Sequence, residues 1–520
     1  MVVTRTAEAT ATDQPRRWGR MGSRISRVAD VRADSSPAGA GVPPSSMREV
    51  RVETVPLQRL AQFLEPDRVT VLESTAAAAR TALEGRVVWN VNATASGGGV
   101  AEMLTTLLAY SRGAGVDARW LVLDGNPRFF RITKRIHNLL HGSPGDGGPL
   151  GQAERDEYEA VLASNLETLN AWVKPGDIVL LHDPQTAALA AGLRTSGAHV
   201  VWRCHVGRDV TNQSTDLAWD FLRPYVSDAD ASIFSRPAYV PEWLEGHRTR
   251  IIPPSLDPFS TKNIPLAPAD VTATLRRAGL VDLPAGLGSL TFSRRDGSLG
   301  SVRSHGNLLV AGEVVPADAR VVLQVSRWDR LKDMAGVLTS FATHLATLPD
   351  DAHLVLVGPD VLGVSDDPEG AEVLFECVDL WKALAPEVRA RVHLVSLPMD
   401  DEGENAHLVN ALQSYASVVV QKSLVEGFGL TVTEPMWKGR PVVASAVGGI
   451  QDQVVDGESG LLLRDPTDLA GFADLIASLL NDDDLARRLG GGAQERVRAE
   501  YLGDRHLIQY AELFAELLRG

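Results

Sequence analysis

Residues 416–447, ASVVVQKSLVEGFGLTVTEPMWKGRPVVASAV, decide how this chain folds. ASVVVQKS (416–423) is a short β-branched run, and Glu426-Gly427-Phe428-Gly429 makes a loop. A helical segment opens near Leu430, and PVVASAV (441–447) is a second β-branched run. Apolar runs joined by a helix form a right-handed βαβ unit in a parallel sheet buried on both faces. Two glycines let the loop backbone approach a ligand closely, and the free N–H groups at the following helix N-terminus face anions. Glu426, in the loop, is placed to accept hydrogen bonds from sugar hydroxyls. Glu434, about two turns further on, is placed for a ribose diol. A glutamate pair at this spacing usually marks a solvated helix face; the strand–loop–helix setting gives it meaning.

The same pattern extends in both directions. Upstream in the same series lie ARVVLQVSRWD (319–329), AHLVLVGP (352–359) and VHLVSLP (392–398), and GLLLR (460–464) follows. An earlier series contains RVVWNVNAT (86–94), DARWLVLDG (117–125), DIVLLHD (177–183), AHVVWRCHV (198–206), ASIFS (231–235) and RIIPP (250–254). Helical patterns such as VAEMLTTLLAYSRGAG from Val100 separate them. A chain of 520 residues exceeds what one core usually supports. The expected fold class is therefore α/β, with two doubly wound, Rossmann-like parallel-sheet domains facing a cleft, where ligands sit outside the strands' carboxyl ends. The expected divisions are a disordered tail at 1–48, an N-terminal Rossmann-like domain at 49–260, a linker or insertion at 261–318 and a second Rossmann-like domain at 319–499. The C-terminal helix, about 500–520, is expected to pack back on the first domain.

Two further stretches bear on chemistry. SRWDRLKD ends the first strand of the second series, and there Arg327 and Lys332 are set to neutralise one diphosphate. An isolated Arg/Lys pair is otherwise a pair of surface cations. SGGGVAEM places Gly97, Gly98 and Gly99 at a strand–helix turn, a poor choice for stability that suggests backbone held against a ligand. It is not GxGxxG, and no acidic residue completes a dinucleotide fingerprint.

Composition narrows the classes. A hydrophobic fraction of 44% and a charged fraction of 22% are ordinary for a globular chain, and a net charge of −15 argues against general nucleic-acid binding. Cys204 and Cys377 form no CxxC pair. The only DxD-like element, Asp482-Asp483-Asp484, opens a late helix, so no metal site is expected. No apolar stretch spans a bilayer and no signal segment opens the chain, so the expected location is the cytoplasm. The Arg-rich start of the chain lacks apolar periodicity.

VWNVNATASGGGVAEML, RFFRITKRIHNLLHG, LHDPQ, VWRCHVGRD, IIPPSLDP, LQVSRWDRLKD and the opening stretch together resemble the retaining GT-B glycosyltransferases of family 4. More closely, they resemble trehalose glycosyltransferring synthases and their trehalose phosphorylase relatives. The resemblance covers most of residues 86–465. It implies that Arg327 and Lys332 bind the donor diphosphate, Glu434 the ribose and Glu426 the transferred glucose, with Gly98, Gly99, Gly427, Phe428 and Gly429 lining the donor. It places His205 beside the donor sugar, Asp183 near the acceptor and Lys134, with His137, on the acceptor side; His182 is equally well a packing residue. It implies sugar and nucleotide-sugar substrates, no cofactor and no required metal, and leaves a homodimer open. The expected reaction is retaining transfer of glucose from a nucleoside-diphosphate-glucose to glucose, giving trehalose. The alternatives are a phosphate-dependent trehalose phosphorylase and a family 4 enzyme with another small acceptor. Gly207-Arg208-Asp209 departs from the family's expected run and leaves the acceptor open.

Overall fold

The computed structural model describes residues 47–95, 99–244, 248–284, 286–294, 297–361 and 369–519. The expected tail therefore lies outside the described residues except for Met47 and Arg48, and Arg48 opens the first strand.

The first sheet has the order β1-β3-β2-β4-β5-β6-β7. Its strands are β1 (Arg48–Val50), β2 (Val88–Asn92), β3 (Ala118–Val122), β4 (Ile178–His182), β5 (His199–Cys204), β6 (Ala231–Phe234) and β7 (Thr249–Ile251). All pair in parallel except β1, which runs antiparallel to β3 at the edge. Every residue of β2 and of β4 is buried, as a parallel sheet covered on both faces requires.

The second sheet repeats the plan, with the order β11-β15-β14-β13-β16-β17-β18. Its strands are β11 (Leu309–Ala311), β13 (Arg320–Val325), β14 (Ala352–Pro359), β15 (Val392–Leu397), β16 (Val418–Gln421), β17 (Val442–Ser445) and β18 (Leu461–Leu463). β11 is the antiparallel edge. Chain order reverses at β2/β4 in the first sheet and at β13/β16 in the second. Such switch points open a crevice at the strands' carboxyl ends.

The Gly/Ser/Arg-rich segment carries short strands: β8 (Val281–Asp282) pairs with β12 (Val315–Pro316), and β9 (Thr291–Ser293) pairs with β10 (Leu299–Ser301). Phe292, Val302, Leu308 and Val315 share an apolar cluster with Leu323, Val355 and Leu408, so this segment is packed on the second lobe. Strands of two or three residues show too little period to be read from sequence.

The lobes are joined twice, and the connections touch: the amide of Leu256 donates to the carbonyl of Tyr501 at 2.7 Å. Beyond that point the helix Gly503–Arg519 lays Tyr510, Leu513, Phe514 and Leu517 against Val88, Ile178 and Val201 of the first sheet. Buried Arg203 of β5 donates to His506 at 3.0 Å and to Tyr510. Among the described residues no helix is long and apolar enough to cross a membrane.

Candidate active site

β13 stops at Val325, and the chain turns through Arg330–Lys332, capped by the Asp329 carboxylate, which accepts from the amide of Leu331 at 2.8 Å. The turn aims Lys332 across the switch point at the loop after β16. Its Nζ lies 2.7 Å from Oε2 of Glu426, which also accepts from Ser423 Oγ at 3.2 Å. Arg327 stays half exposed beside Asp329, 3.0 Å away. Lys422, nearly fully buried, pairs with Asp333 and pins the same turn from below.

The glycines of the loop are needed for space. Gly429 has φ 90°, and a Cβ there would come within 2.9 Å of Ile450. A Cβ on Gly427 would lie 3.2 Å from the carbonyl oxygen of His205, in the other lobe. Gly99 opens the helix Gly99–Gly113, and a Cβ there would lie 3.3 Å from Leu430, the first residue of the helix Leu430–Trp437. Gly98 lies outside the described residues. The ring of Phe428 does not face the cleft: it packs against Tyr501, with ring centres 5.9 Å apart. Only its backbone belongs to the loop.

Glu434 is buried one turn into its helix. One oxygen lies 3.2 Å from Nζ of Lys262, which also pairs at 3.0 Å with Glu102 of the first lobe; the other accepts from Gln413 at 3.2 Å.

Across the cleft, Asp183 ends β4 in a left-handed conformation, φ 64°, which is costly for a residue with a Cβ. Its carboxylate accepts from the amide of His205 at 2.7 Å, and burial pushes its pKa up to about 7. His205 Nε2 lies 3.1 Å from Nδ1 of His182, whose Nε2 lies 3.1 Å from Oδ1 of Asn90. The amide oxygen of Asn90 only accepts, so Nε2 of His182 carries the proton and Nδ1 accepts from His205. His205 thereby keeps Nδ1 as an acceptor. Burial holds both rings neutral, pushing His182 down to about 3 and His205 well below the usual range. His182 is thus part of the site's hydrogen-bonding.

Lys134 is exposed on the helix Pro127–Leu140, which also carries His137. His137 stacks edge-on against His141, ring centres 4.9 Å apart, a residue the sequence reading passed over. His141 sits 3.8 Å from where a Gly427 Cβ would be and feels both Lys332 and Glu426, and its Nδ1 is buried without a hydrogen-bond partner among the described residues. Burial pushes its pKa down to about 4. The i, i+4 spacing with His137 was the available signal.

Other contacts between the lobes also went unread. Tyr239 OH donates to the carbonyl of Gly427 at 2.6 Å, with that of Glu426 at 2.9 Å. Asp209 accepts from the amide of Gly448 at 2.8 Å and from Gln451, while Arg236 reaches Asp209 and the carbonyl of Gly448. Of the departing run Gly207-Arg208-Asp209, Asp209 therefore bridges the lobes. Asp482 caps the helix Asp483–Glu500 through the amides of Asp484 and Leu485. Among the described residues, no group of three or more His, Cys, Asp or Glu is placed to share a metal ion.

Residues 90–241 match the family described as trehalose synthase, N-terminal domain, and residues 310–496 match glycosyl transferases group 1. The trehalose synthase of Rubrobacter xylanophilus is 35% identical over 439 residues, covering 84% of this chain and 92% of that protein. The chain belongs to the trehalose synthase family. The trehalose synthase of Pyrococcus horikoshii is 33% identical, covering 84% of this chain and 91% of that one. Trehalose phosphorylases are more distant: that of Pleurotus pulmonarius is 26% identical, covering 79% of this chain and 54% of that protein. In fold, the chain is similar to the solved structure of an α,α-trehalose-phosphate synthase (UDP-forming) from Burkholderia vietnamiensis, with a TM-score of 0.59 at 16% identity, covering 84% of this chain and 98% of that one. The fold is GT-B and the protein is a glycosyltransferase, as the motif resemblance led us to expect.

Proposed function

We propose that the protein transfers glucose from a nucleoside-diphosphate-glucose to the anomeric hydroxyl of glucose, giving α,α-trehalose with retention and without a metal. The observation that carries this reading is the Lys332–Glu426 pair at 2.7 Å, which sets a cation for the leaving diphosphate beside a carboxylate for the sugar hydroxyls, opposite neutral His205. Arg327 and Lys332 stabilise the charge that develops as the bond from C1 to the phosphate oxygen breaks. A departing phosphate oxygen takes the proton of the acceptor hydroxyl, whose oxygen bonds C1 on the face the phosphate leaves. The nucleoside diphosphate departs with that proton. Glu434 holds the donor ribose, and Asp183 and His205 position acceptor and sugar hydroxyls.

An unphosphorylated acceptor is favoured by where the neighbouring cations go. Arg135 is paired with Asp146 at 2.6 Å, and Arg208 is turned onto the carbonyl of Gly142 at 3.5 Å. Lys134 is left on the surface nearby. Incubation with a panel of nucleotide-glucoses plus glucose or glucose 6-phosphate, with NMR of the product, tests the reading. The expected result is α,α-trehalose from glucose with release of nucleotide. Turnover only with the phosphorylated sugar, a β linkage, or glucose 1-phosphate released from trehalose and phosphate in place of synthesis would overturn it.

A further inference from the structure

At the end of the helix that carries Glu434 lies a cavity of about 460 Å³ that the proposed reaction does not use. Phe63 lines it from the first lobe and Asn263 to Pro268 from the outgoing connection, while the second lobe supplies most of the wall, Asn410, Trp437 to Arg440 and Arg498 among it. Three of the lining residues, Lys438, Arg440 and Arg498, are cationic, and among the described lining residues none is Asp or Glu. In a chain of net charge −15, three cations facing one cavity without a carboxylate is a strong local reversal.

Among the described residues none of these three cations is ion-paired with a carboxylate, and the three N–H donors of Lys438 go to neutral acceptors. Arg440 donates to the carbonyl of Ala416 at 3.3 Å, and its Nε is buried without a partner among the described residues. Burial without an acid lowers its pKa. Among the described residues the hydrogen bonds of Lys438 all go to uncharged oxygens, the side chains of Gln413 at 2.9 Å and Asn263 at 3.2 Å and the carbonyl of Glu434 at 3.2 Å, with the Glu434 and Glu102 carboxylates acting on it from further off. Desolvation pushes its pKa down to about 7. A desolvated cation of this kind gains from an anion that arrives with its own charge. Phe63 and Trp437, edge-on with ring centres 5.1 Å apart, add an apolar wall against which the organic part of a ligand can lie.

We propose that this cavity binds a small organic phosphate monoester, which weakens donor binding at the proposed active site. The route is short. Lys438 orients the Gln413 amide through its oxygen, and the nitrogen of that amide donates to Glu434, the residue assigned to the donor ribose. A phosphate that draws Lys438 away releases Gln413 and leaves Glu434 to Lys262 alone, whose other partner is Glu102 in the first lobe. The effect therefore falls on the KM for donor and spares kcat. This coupling rests on the donor role proposed for Glu434; the binding itself does not.

Calorimetric titration of the full-length protein with inorganic phosphate, glucose 6-phosphate and adenosine monophosphate separates the sources. The expected result is one site, tighter for an organic monoester than for inorganic phosphate, with the identity of the tighter ester naming the source. Arg498→Ala, which changes an exposed side chain, and Arg440→Ala should each weaken binding about tenfold, the scale of one charge-assisted contact, and Lys332→Ala should leave it unchanged. In turnover assays the same ester should raise the donor KM of the parent several-fold, and that of Arg498→Ala much less. No binding by any of the three up to about 10 mM, or binding lost in Lys332→Ala and kept in Arg498→Ala, overturns the site. Binding without an effect on donor KM overturns the coupling, and failure of synthesis with intact binding refutes only the proposed reaction.

Discussion

Replacing Lys332 with Ala removes two things at once, and their sizes can be worked out separately. The first is catalytic. A fixed charge aimed at a group that gains charge in the transition state is worth about 2.7–4 kcal/mol, or about 10²–10³ in kcat. Arg327, half exposed and paired with Asp329, is too solvated to replace it. The second is structural. Nζ of Lys332 neutralises a carboxylate whose side chain is 9% exposed, so the mutant leaves Glu426 with Ser423 as its remaining partner. Breaking a buried pair costs about 3–5 kcal/mol. Lys332 itself is 17% exposed and water can enter, which brings the expected cost down to about 1–3 kcal/mol.

The double mutant Lys332→Ala/Glu426→Gln separates the two. Urea unfolding should show most of the lost stability restored, because the amide needs no counter-charge, with a coupling energy of about 1–2 kcal/mol. Initial rates of nucleotide release should show kcat restored not at all. A folded Lys332→Ala enzyme that keeps kcat within about threefold of the parent would refute the leaving-group assignment. So would recovery of kcat in the double mutant, since that would make the single mutant's defect one of misplacing Glu426.

Three further outcomes are expected. The buried histidines lower acid stability: His141, pushed down to about 4, and His182, to about 3, stay neutral in the fold while their unfolded counterparts take protons below about 6.5. Each should cost about 2 kcal/mol between pH 8 and pH 5, read as a falling urea midpoint, with a shallower fall in His141→Gln; a midpoint flat over that range would contradict the burial. Asp183, raised to about 7, acts in the opposite sense, losing stability as pH rises from about 4 to 7, so Asp183→Asn should raise the urea midpoint more at pH 8 than at pH 5. Turnover should survive EDTA, and loss with recovery on Mg²⁺ or Mn²⁺ would transfer leaving-group stabilisation to a metal.

The parts of the molecule visible in the sequence are those built on repetition. β2, β4, β13 and β16 are predominantly apolar runs of four to six residues, interrupted by Asn90 in β2 and by Gln324 in β13, and each appears where its run predicts. The edge strands β1 and β11, three residues each, are held by antiparallel pairing to a neighbour distant in sequence, and no local pattern records that. The site divides in the same way. Glu426, Lys332 and Asp183 follow strand ends, so a topological rule locates them. His141, Tyr239 and Asp209 act across the cleft, and their roles depend on the distance between lobes. The ring of Phe428 turns away from the cleft for a related reason, since a loop residue's side chain can turn to either face and this one has Tyr501 behind it.

The pattern of contacts between the lobes bears on how the site is prepared for substrate. Tyr239 is bound to the backbone carbonyls of Glu426 and Gly427, and Asp209 and Arg236 hold Gly448, where a Cβ would collide with the carbonyl of Glu426. The loop Glu426–Gly429 is therefore positioned from the first lobe, through its backbone, with its carboxylate left to Lys332. Tyr239→Phe tests this. The ring keeps its packing and Glu426 keeps its ion pair, so stability should fall by no more than the about 1–1.5 kcal/mol of the lost hydrogen bonds. If the loop's position is set from that side, kcat should fall about tenfold or more, because a misplacement of about 1 Å at a reacting centre costs up to about 10². The donor KM should move little, since Glu434, Arg327 and Lys332, to which donor binding is assigned in the proposed reaction, are untouched. Parent-like kcat in the folded Tyr239→Phe protein would mean that the loop holds its own shape, and that the contact between lobes contributes stability alone.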